Sequence, residues 1–451
     1  MFIKEDVIWK KCQAGSMLYN ARTEEKMILN DSATNLFLST YVNHFEISDI
    51  AENLKSKFSN MEYDDILEDV ASCIREIDNS NFVTINPQKM NFINLLDSKY
   101  SLDNVIFEIT GRCNLSCVHC IEGGSKVYNE LSLEEICKII DELQMLGVYR
   151  VVLTGGEPFA RKDIMEIIEK FSSKAMKVII FTNGALINNE MLDKLAGNNI
   201  LLRFSLDGAT AETHDFIRGG GSFEKTIRII DKCREKGIEI GIASTIYSKN
   251  FDEYKDIVKL AGNLNVRELE LSEIVPFGNA KEYRDLLLSR KQLEQLRVYN
   301  LELGNSNESF ARGTGLAKQA EQRKRDAVRE YSCNAGISTC FIGCNGDVYP
   351  CTLFKEFDEF CIGNAGIESL FEIWNYGTGL DKFRNLKVSY LKKCKSCDCF
   401  NLCPGGCRAK AYIASNNLLG DMEDEYCQIS NSMRKRMING EFNYIWEKIS
   451  S

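Results

Sequence analysis

The 451-residue sequence predicts an α/β protein: a partial (β/α)6 barrel, preceded by a small α+β module and followed by a cysteine-rich, turn-rich domain. Three observations carry this expectation. From about residue 105 to 280, short β-branched runs alternate with amphipathic stretches of helical period, the pattern of a parallel sheet with crossover helices. Before residue 88 the order is different, with strands first and helices after. Finally, most of the 18 cysteines crowd into 113–120, 333–407 and position 427. The length exceeds what one ordinary core serves, so two to four domains are expected.

Taken in order, "DVIWKKC", "SMLYNA" and "KMILN" read as short strands within residues 1–88. Asn30 and Asp31 offer a helix cap. "SATNLFLSTYVNH", "EISDIAENLKSKF" and "YDDILEDVASCIREI" carry apolar residues every three to four positions, and "FVTIN" closes the module as a strand. In the barrel, the strands are "NVIFEIT", "RVVLTGG", "KVIIFTNG", "ILLRFSLDG", "IEIGIASTI" and "ELELSEIV", with helical stretches between them. Loops at the strand C-termini are where such a fold keeps its chemistry. Residues 281–332 read as a charged helical bridge, in which 318–329 is a solvated helix face. Residues 333–427 lack the apolar content for a core of their own and need metal staples. Residues 428–451 read as a polar helix.

Composition excludes several classes. The formal net charge of -10 argues against nucleic acid as a partner, since phosphate binding needs excess Lys and Arg. The opening "MFIKEDVIWKK" has no signal-peptide core, and no run of about 18 apolar residues occurs, so no membrane span and a cytoplasmic location are expected. Thiols there stay reduced, which points the clustered cysteines to metal before disulfides. Only His44, His119 and His214 are present, too few for a histidine-rich zinc enzyme and a poor start for a Ser/His/Asp hydrolase.

Cys113-x3-Cys117-x2-Cys120 follows the first barrel strand. Three thiolates on one loop hold three irons of a 4Fe–4S cluster and leave the fourth open for a ligand. His119 packs beside that loop. Gly155-Gly156-Glu157-Pro158 follows the second strand, where glycines let the backbone approach a ligand. The two motifs in this order resemble the radical SAM superfamily. The resemblance implies that the GGEP loop binds the amino group of S-adenosylmethionine, which fills the open iron site. It also implies that Asn183 in "TNG", Ser205 and Asp207 in "FSLDG", and Arg218 line the cofactor, with Arg218 meeting its carboxylate. Asp207 reads equally as a turn former before Gly208. Thr245 is a weaker candidate near the adenine.

Cys333-x12-Gly346-x4-Cys351, then Cys394-x2-Cys397-x5-Cys403-x3-Cys407 and Cys427, resembles the SPASM domain, which binds two auxiliary 4Fe–4S clusters. The resemblance implies one cluster on Cys394, Cys397, Cys403 and Cys427, and another on Cys333, Cys351 and Cys407. Its fourth ligand is Cys340, Cys344 or an open position. Together with the first site this makes three 4Fe–4S clusters. Zinc ribbons are the alternative for CxxC pairs. Cys399 reads as a free thiol, and Cys12, Cys73, Cys137, Cys233 and Cys361 as buried ones.

The N-terminal order of strands, three helices and a wing strand resembles the winged-helix RiPP recognition element, which binds precursor leaders. An unrelated winged helix is the alternative. The three-part architecture, with "GRCNLSCVHC", "TGGEPF" and "RGGGSF", resembles sactipeptide and related thioether-forming maturases. That resemblance implies an oxidoreductase acting on a ribosomal precursor peptide. A 5′-deoxyadenosyl radical takes a hydrogen, a cysteine sulfur bonds the resulting carbon, and the auxiliary clusters carry the surplus electron away. A flavodoxin or ferredoxin supplies the first electron. Removing residues 1–88 is expected to weaken precursor binding and leave cofactor cleavage intact. Competing readings are carbon–carbon crosslinking, epimerising or decarboxylating maturases, a sulfatase-maturating enzyme, and an iron–sulfur electron carrier.

Overall fold

The computed structural model describes residues 2–3, 7–12, 15–57, 59–84, 100–123, 129–174, 176–304, 333–395, 405–421 and 427. At the N-terminus, β1 (Phe2–Ile3) anticipates a late partner, while β2 (Val7–Cys12), β3 (Gly15–Asn20) and β4 (Lys26–Leu29) form an antiparallel meander. Asn30 then accepts the Ala33 amide at 2.8 Å and starts α1 (Asp31–Phe37). Two more helices follow, α2 (Ile47–Lys57) and α3 (Tyr63–Asp78). The last buries Ile66, Val70, Ile74 and Ile77, one stripe at helical spacing. β5 (Val83–Thr84) returns to pair with β1.

Six parallel strands then run in chain order: β6 (Asn104–Thr110), β7 (Arg150–Gly155), β8 (Lys177–Thr182), β9 (Ile200–Ser205), β10 (Glu239–Ile246) and β11 (Glu268–Glu273). Between them lie α4 (Leu133–Met145), α5 (Ile164–Ser172), α6 (Asn189–Leu195), α7 (Ala211–Arg218), α8 (Ser222–Glu235) and α9 (Tyr254–Asn263), and α10 (Arg290–Gly304) follows β11. Ser132 and Glu135 close a capping box on α4. Alternation along each strand sends Val105, Phe107, Val151, Leu153, Leu202, Phe204, Ile240 and Ile242 outward into the helix-covered core. The residues that alternate with them, among them Glu108, Phe181 and Arg203, face the lumen.

Two features were not foreseen. The cysteine-rich domain continues the barrel sheet: β12 (Thr339–Ile342) pairs parallel with β6, and β13 (Asp347–Tyr349) and β14 (Gly363–Asn364) follow antiparallel, giving nine strands. The N-terminal module docks against the N-terminal ends of the barrel strands, opposite the loops that carry the motifs. Lys10 is 2% exposed and donates to Leu102 O at 2.7 Å and Asp103 Oδ1 at 3.0 Å. Tyr19 packs on Tyr149 with ring centroids 4.4 Å apart, Lys26 donates to the Tyr149 hydroxyl, and Glu24 pairs with Arg267. Ile8, Met17, Tyr19 and Ala21 share the barrel's buried apolar cluster.

The expected bridge is helical as far as Gly304; its remainder, the tail helix after Cys427, and Cys397, Cys399 and Cys403 lie outside the described residues. Among the described residues, no helix is long and apolar enough to cross a membrane.

Candidate active site

The loop bearing Cys113, Cys117 and Cys120 leaves β6 at its C-terminal end and is tied down on three sides. Val118 N donates to Ile217 O on α7 at 2.9 Å, Asn279 donates to Cys120 O and Cys117 O at 2.9 and 3.0 Å, and Asn183 Nδ2 donates to Asn114 Oδ1 at 2.9 Å. The GGEP loop lies directly on it: Gly156 N donates to Thr110 O at 2.9 Å and Glu157 N to Arg112 O at 2.7 Å. This approach needs bare backbone. A Cβ on Gly155 would meet Thr110 O at 2.2 Å, and one on Gly156 would meet Arg112 O at 2.2 Å and Cys113 Cβ at 3.0 Å. Gly155 also has φ +144°, where side chains are strained.

Glu157 is buried and acts as a loop clamp. Its carboxylate accepts from Asn183 N at 2.7 Å, Thr182 Oγ1 at 2.8 Å and Phe159 N at 3.2 Å. Burial pushes its carboxyl up to about 7, against those hydrogen bonds. Pro158, buried, begins the short turn after it. Asp207 is fully buried after β9. It accepts Arg218 Nε at 2.5 Å and the Thr245 amide at 2.7 Å, with His119 Nε2 3.2 Å away. Burial alone would raise this carboxyl, but Arg218 and His119 outweigh it and hold Asp207 well below the usual carboxylate range. The guanidinium expected to meet the cofactor's carboxylate thus has a protein carboxylate as partner. His119 is more than a packing residue, since it joins that pair. Ser205 and Thr245 stand at the lumen face just above.

The donor set fits a multi-iron cluster. Cys113, Cys117 and Cys120 are unbridged, half-buried thiols that feel one another's charge. Burial raises Cys113 and pushes Cys117 up to about 11, with Arg218 pulling the other way on Cys117, so Cys113 and Cys117 ionise readily only against bound metal. Among the described residues, no three His, Cys, Asp or Glu side chains converge closely enough for a single ion. Three thiols on one loop, near enough to feel one another's charge, suit the corners of one cluster.

Cys333, Cys351 and Cys407 form a second group by mutual proximity, and burial pushes Cys351 up to about 12. Cys340 and Cys344 are not brought to them. Cys340 pairs in register with Val105 and points to the same helix-covered face, whereas Phe341 faces the cluster that packs Cys351 and Cys407. Cys344 is buried near Glu108, Glu130 and Arg161. Cys394 begins the second ligand run, and the chain neighbours of Cys427 lie outside the described residues. Sequence reasoning missed Asn279, whose only signal is the preceding Gly278 at φ +51°, and Glu130, which accepts from Thr110 Oγ1 at 2.7 Å and Gly111 N at 3.0 Å.

Parallel strands, a three-thiol loop at their C-terminal ends and a glycine loop laid across it define a barrel enzyme built around an iron–sulfur site. Comparison with known proteins agrees. The model of the Radical SAM superfamily matches residues 107–261, and that of SPASM, an iron-sulfur cluster-binding domain, matches 333–398. Mycofactocin maturase MftC of Mycolicibacterium smegmatis is 31% identical over 323 residues, 70% of this chain and 80% of that one. The AdoMet-dependent heme synthase of Methanosarcina barkeri is 29% identical over 343 residues, covering 72% and 95%. The crystal structure of Streptococcus suis SuiB bound to precursor peptide SuiA is similar in fold, with TM-score 0.72 and 18% identity, covering 94% of this chain and 99% of that one. The chain belongs to the radical SAM superfamily and carries a SPASM domain. Membership implies a 4Fe–4S cluster with S-adenosylmethionine, and the SPASM domain implies further iron–sulfur centres.

Proposed function

We propose that the chain is a maturase of a ribosomally made precursor peptide and that it forms thioether bonds from cysteine sulfur to a carbon of another residue. One observation carries the peptide reading. The fold likeness to SuiB leaves only about 6% of this chain unmatched, much less than the N-terminal module holds, so the module is shared with a protein seen bound to its precursor. β4 is an edge strand of the module's meander, and Ile28 on it is 61% exposed. An extended leader adds to such an edge through main-chain hydrogen bonds, and tethering raises the effective concentration of the rest of the peptide at the barrel.

In this reading Cys113, Cys117 and Cys120 hold the first cluster. Gly155, Gly156, Glu157, Pro158, Asn183, Ser205, Asp207 and Arg218 shape the S-adenosylmethionine site. Together the bound groups supply one-electron cleavage of the sulfonium and a hydrogen-abstracting radical. Asp207 and His119 keep Arg218 aimed at the thiol loop, and the buried Glu157 holds the GGEP backbone against it. Cys333, Cys351 and Cys407 would hold an auxiliary cluster, whose remaining position would be open to a substrate thiolate if Cys340 and Cys344 stay where they are buried. Cys394, Cys397, Cys403 and Cys427 hold the third. A flavodoxin or ferredoxin is the electron donor, and the cytoplasm is the setting. Coexpression with a cysteine-rich peptide encoded nearby, followed by mass spectrometry, tests this. The expected product has lost a pair of hydrogens per bond and resists thiol alkylation. The same mass loss with freely alkylated cysteines would instead mean carbon–carbon crosslinking.

A small-molecule substrate is the second reading, favoured by the heme synthase relative, whose length is 95% matched. Against it, that match leaves over a quarter of this chain uncovered.

A further inference from the structure

The barrel lumen is layered. At the bottom, Ile106, Val152, Ile179 and Leu201 stand in register on the inner face as an apolar plug. At the top, Ser205, Asp207 and Thr245 mark the cofactor level. Above the plug, the β9–β11 wall carries a charged ledge, across from Glu108 on β6 and its partner Lys355. Arg203 on β9 is 7% exposed, lies 4.9 Å over the Phe181 ring, and donates to Glu270 Oε2 on β11 at 2.9 Å and to Glu268. Its reach crosses an intervening strand. That is possible because β10 presents Gly241 and Ala243 there, paired with Arg203 and Ser205 on one side and with Glu268 and Glu270 on the other. A Cβ on Gly241 would sit 2.9 Å from Glu268 Cγ, so the trench floor has no room for a side chain. Glu268 is mostly covered. Glu270, on the last barrel strand, keeps 49% of its side chain exposed, and Ser272 Oγ, 3.2 Å from it, belongs to the residue paired with Thr245.

We propose that this ledge is a substrate subsite in which Glu270 receives a cationic side chain of the peptide, Lys or Arg, next to the reacting residue. The inference rests on the peptide reading above. An ionised carboxylate is an acceptor only, and its strongest complement is an ammonium or guanidinium. Arg203 fixes the Glu270 carboxylate and stacks on Phe181, so the group is held in place before a ligand arrives. Arg203 holds Oε2, whereas Oε1 meets Ser272 Oγ on the half of the side chain that stays exposed, and an arriving cation is met there. An acidic side chain at the same place meets like charge in a partly desolvated wall and is rejected. Glu270 is therefore a specificity residue, in the same register row as Ser205 at the edge of the cofactor level.

The test uses the full chain with its clusters reconstituted and S-adenosylmethionine present, but without reductant. The probes are fluorescein-labelled, cysteine-containing hexapeptides that differ at one position beside the cysteine: Lys, Gln or Glu. The Lys peptide is expected to bind about tenfold tighter than the Glu peptide. In Glu270→Gln the difference should shrink to within about twofold, with S-adenosylmethionine affinity and melting unchanged, and Glu270→Lys should reverse the order. Equal binding of the Lys and Glu peptides by the wild type, or a preference that survives Glu270→Gln, overturns the subsite. If the preference follows Glu270 but a full-length precursor bearing its leader is not modified after reduction, the subsite stands and the maturase reading falls.

Discussion

Asp207 shows how a residue that reads as a turn former becomes the centre of a site. Its carboxylate has no exposure, and both Arg218 and His119 depend on it for their negative partner. Asp207→Asn leaves a buried guanidinium against a neutral amide. Breaking a buried pair in this way costs about 3–5 kcal/mol. The urea midpoint should drop accordingly and the reconstituted iron content per chain should fall; a variant as stable as wild type would remove Asp207 from this role. Nearby, His214 is fully buried and accepts the Asp207 amide at 3.1 Å. Burial, helped by the charge of Arg218, pushes it down to about 4. The unfolded chain therefore takes up this proton first as pH falls, so the His214 contribution is complete above about 6.5 and is lost toward 4, on the order of 3 kcal/mol. Urea midpoints measured across that window should fall more steeply for wild type than for His214→Gln. Parallel curves would mean the imidazole gains a proton freely in the fold.

At the scale of elements, the barrel was legible because its signals are local. β-branched runs and helical periodicity lie within single segments, and Asn104–Thr110 and Asn30's cap fall where the pattern puts them. The two cysteine motifs were legible for the same reason: their spacing is itself the signal. What stayed hidden depends on distant partners. Nothing in "TCFI" says that it extends the barrel sheet beside β6, and that pairing is what turns Cys340 away from Cys333, Cys351 and Cys407. Nor does "VIWKKC" announce that Lys10 is inside the molecule. This ammonium is held by Leu102 O, Asp103 and Gly147 O, the last at 3.3 Å, at the start of β6 and the turn before β7. Lys10→Ala strips these acceptors of their donor and should lower stability by about 2 kcal/mol or more. Thermal unfolding would show the loss first as fluorescence change around Trp9, because β2 is loosened before the barrel opens. A change confined to the barrel's own transition would argue against Lys10 as the docking pin.

At the scale of the whole molecule, these contacts revise what a truncation means. A leader-binding module reads in sequence as a detachable accessory, so cofactor cleavage was expected to survive its loss. In the fold, the module covers the N-terminal end of the barrel, and Ile8, Met17 and Tyr19 lie in one apolar cluster with Leu102, Leu146 and Tyr149. Removing it exposes that surface, at roughly 1.5–3 kcal/mol for each large side chain uncovered, and takes Glu24 from Arg267, which keeps Glu239, and Lys10 from Asp103, which keeps Ser101. A chain lacking residues 1–84 should therefore aggregate or lose reductive cleavage of S-adenosylmethionine along with peptide binding. The cleaner experiment is Ile28→Asp in the full chain. Ile28 is exposed on the β4 edge and outside that cluster, so melting temperature, iron content and uncoupled cleavage should match wild type. Precursor affinity should fall about tenfold or more, since a charge on a docking edge opposes strand addition. A truncated chain that stays monomeric and cleaves at the full rate would mean the module is tethered rather than built in. Unchanged affinity in Ile28→Asp would move the leader to another surface.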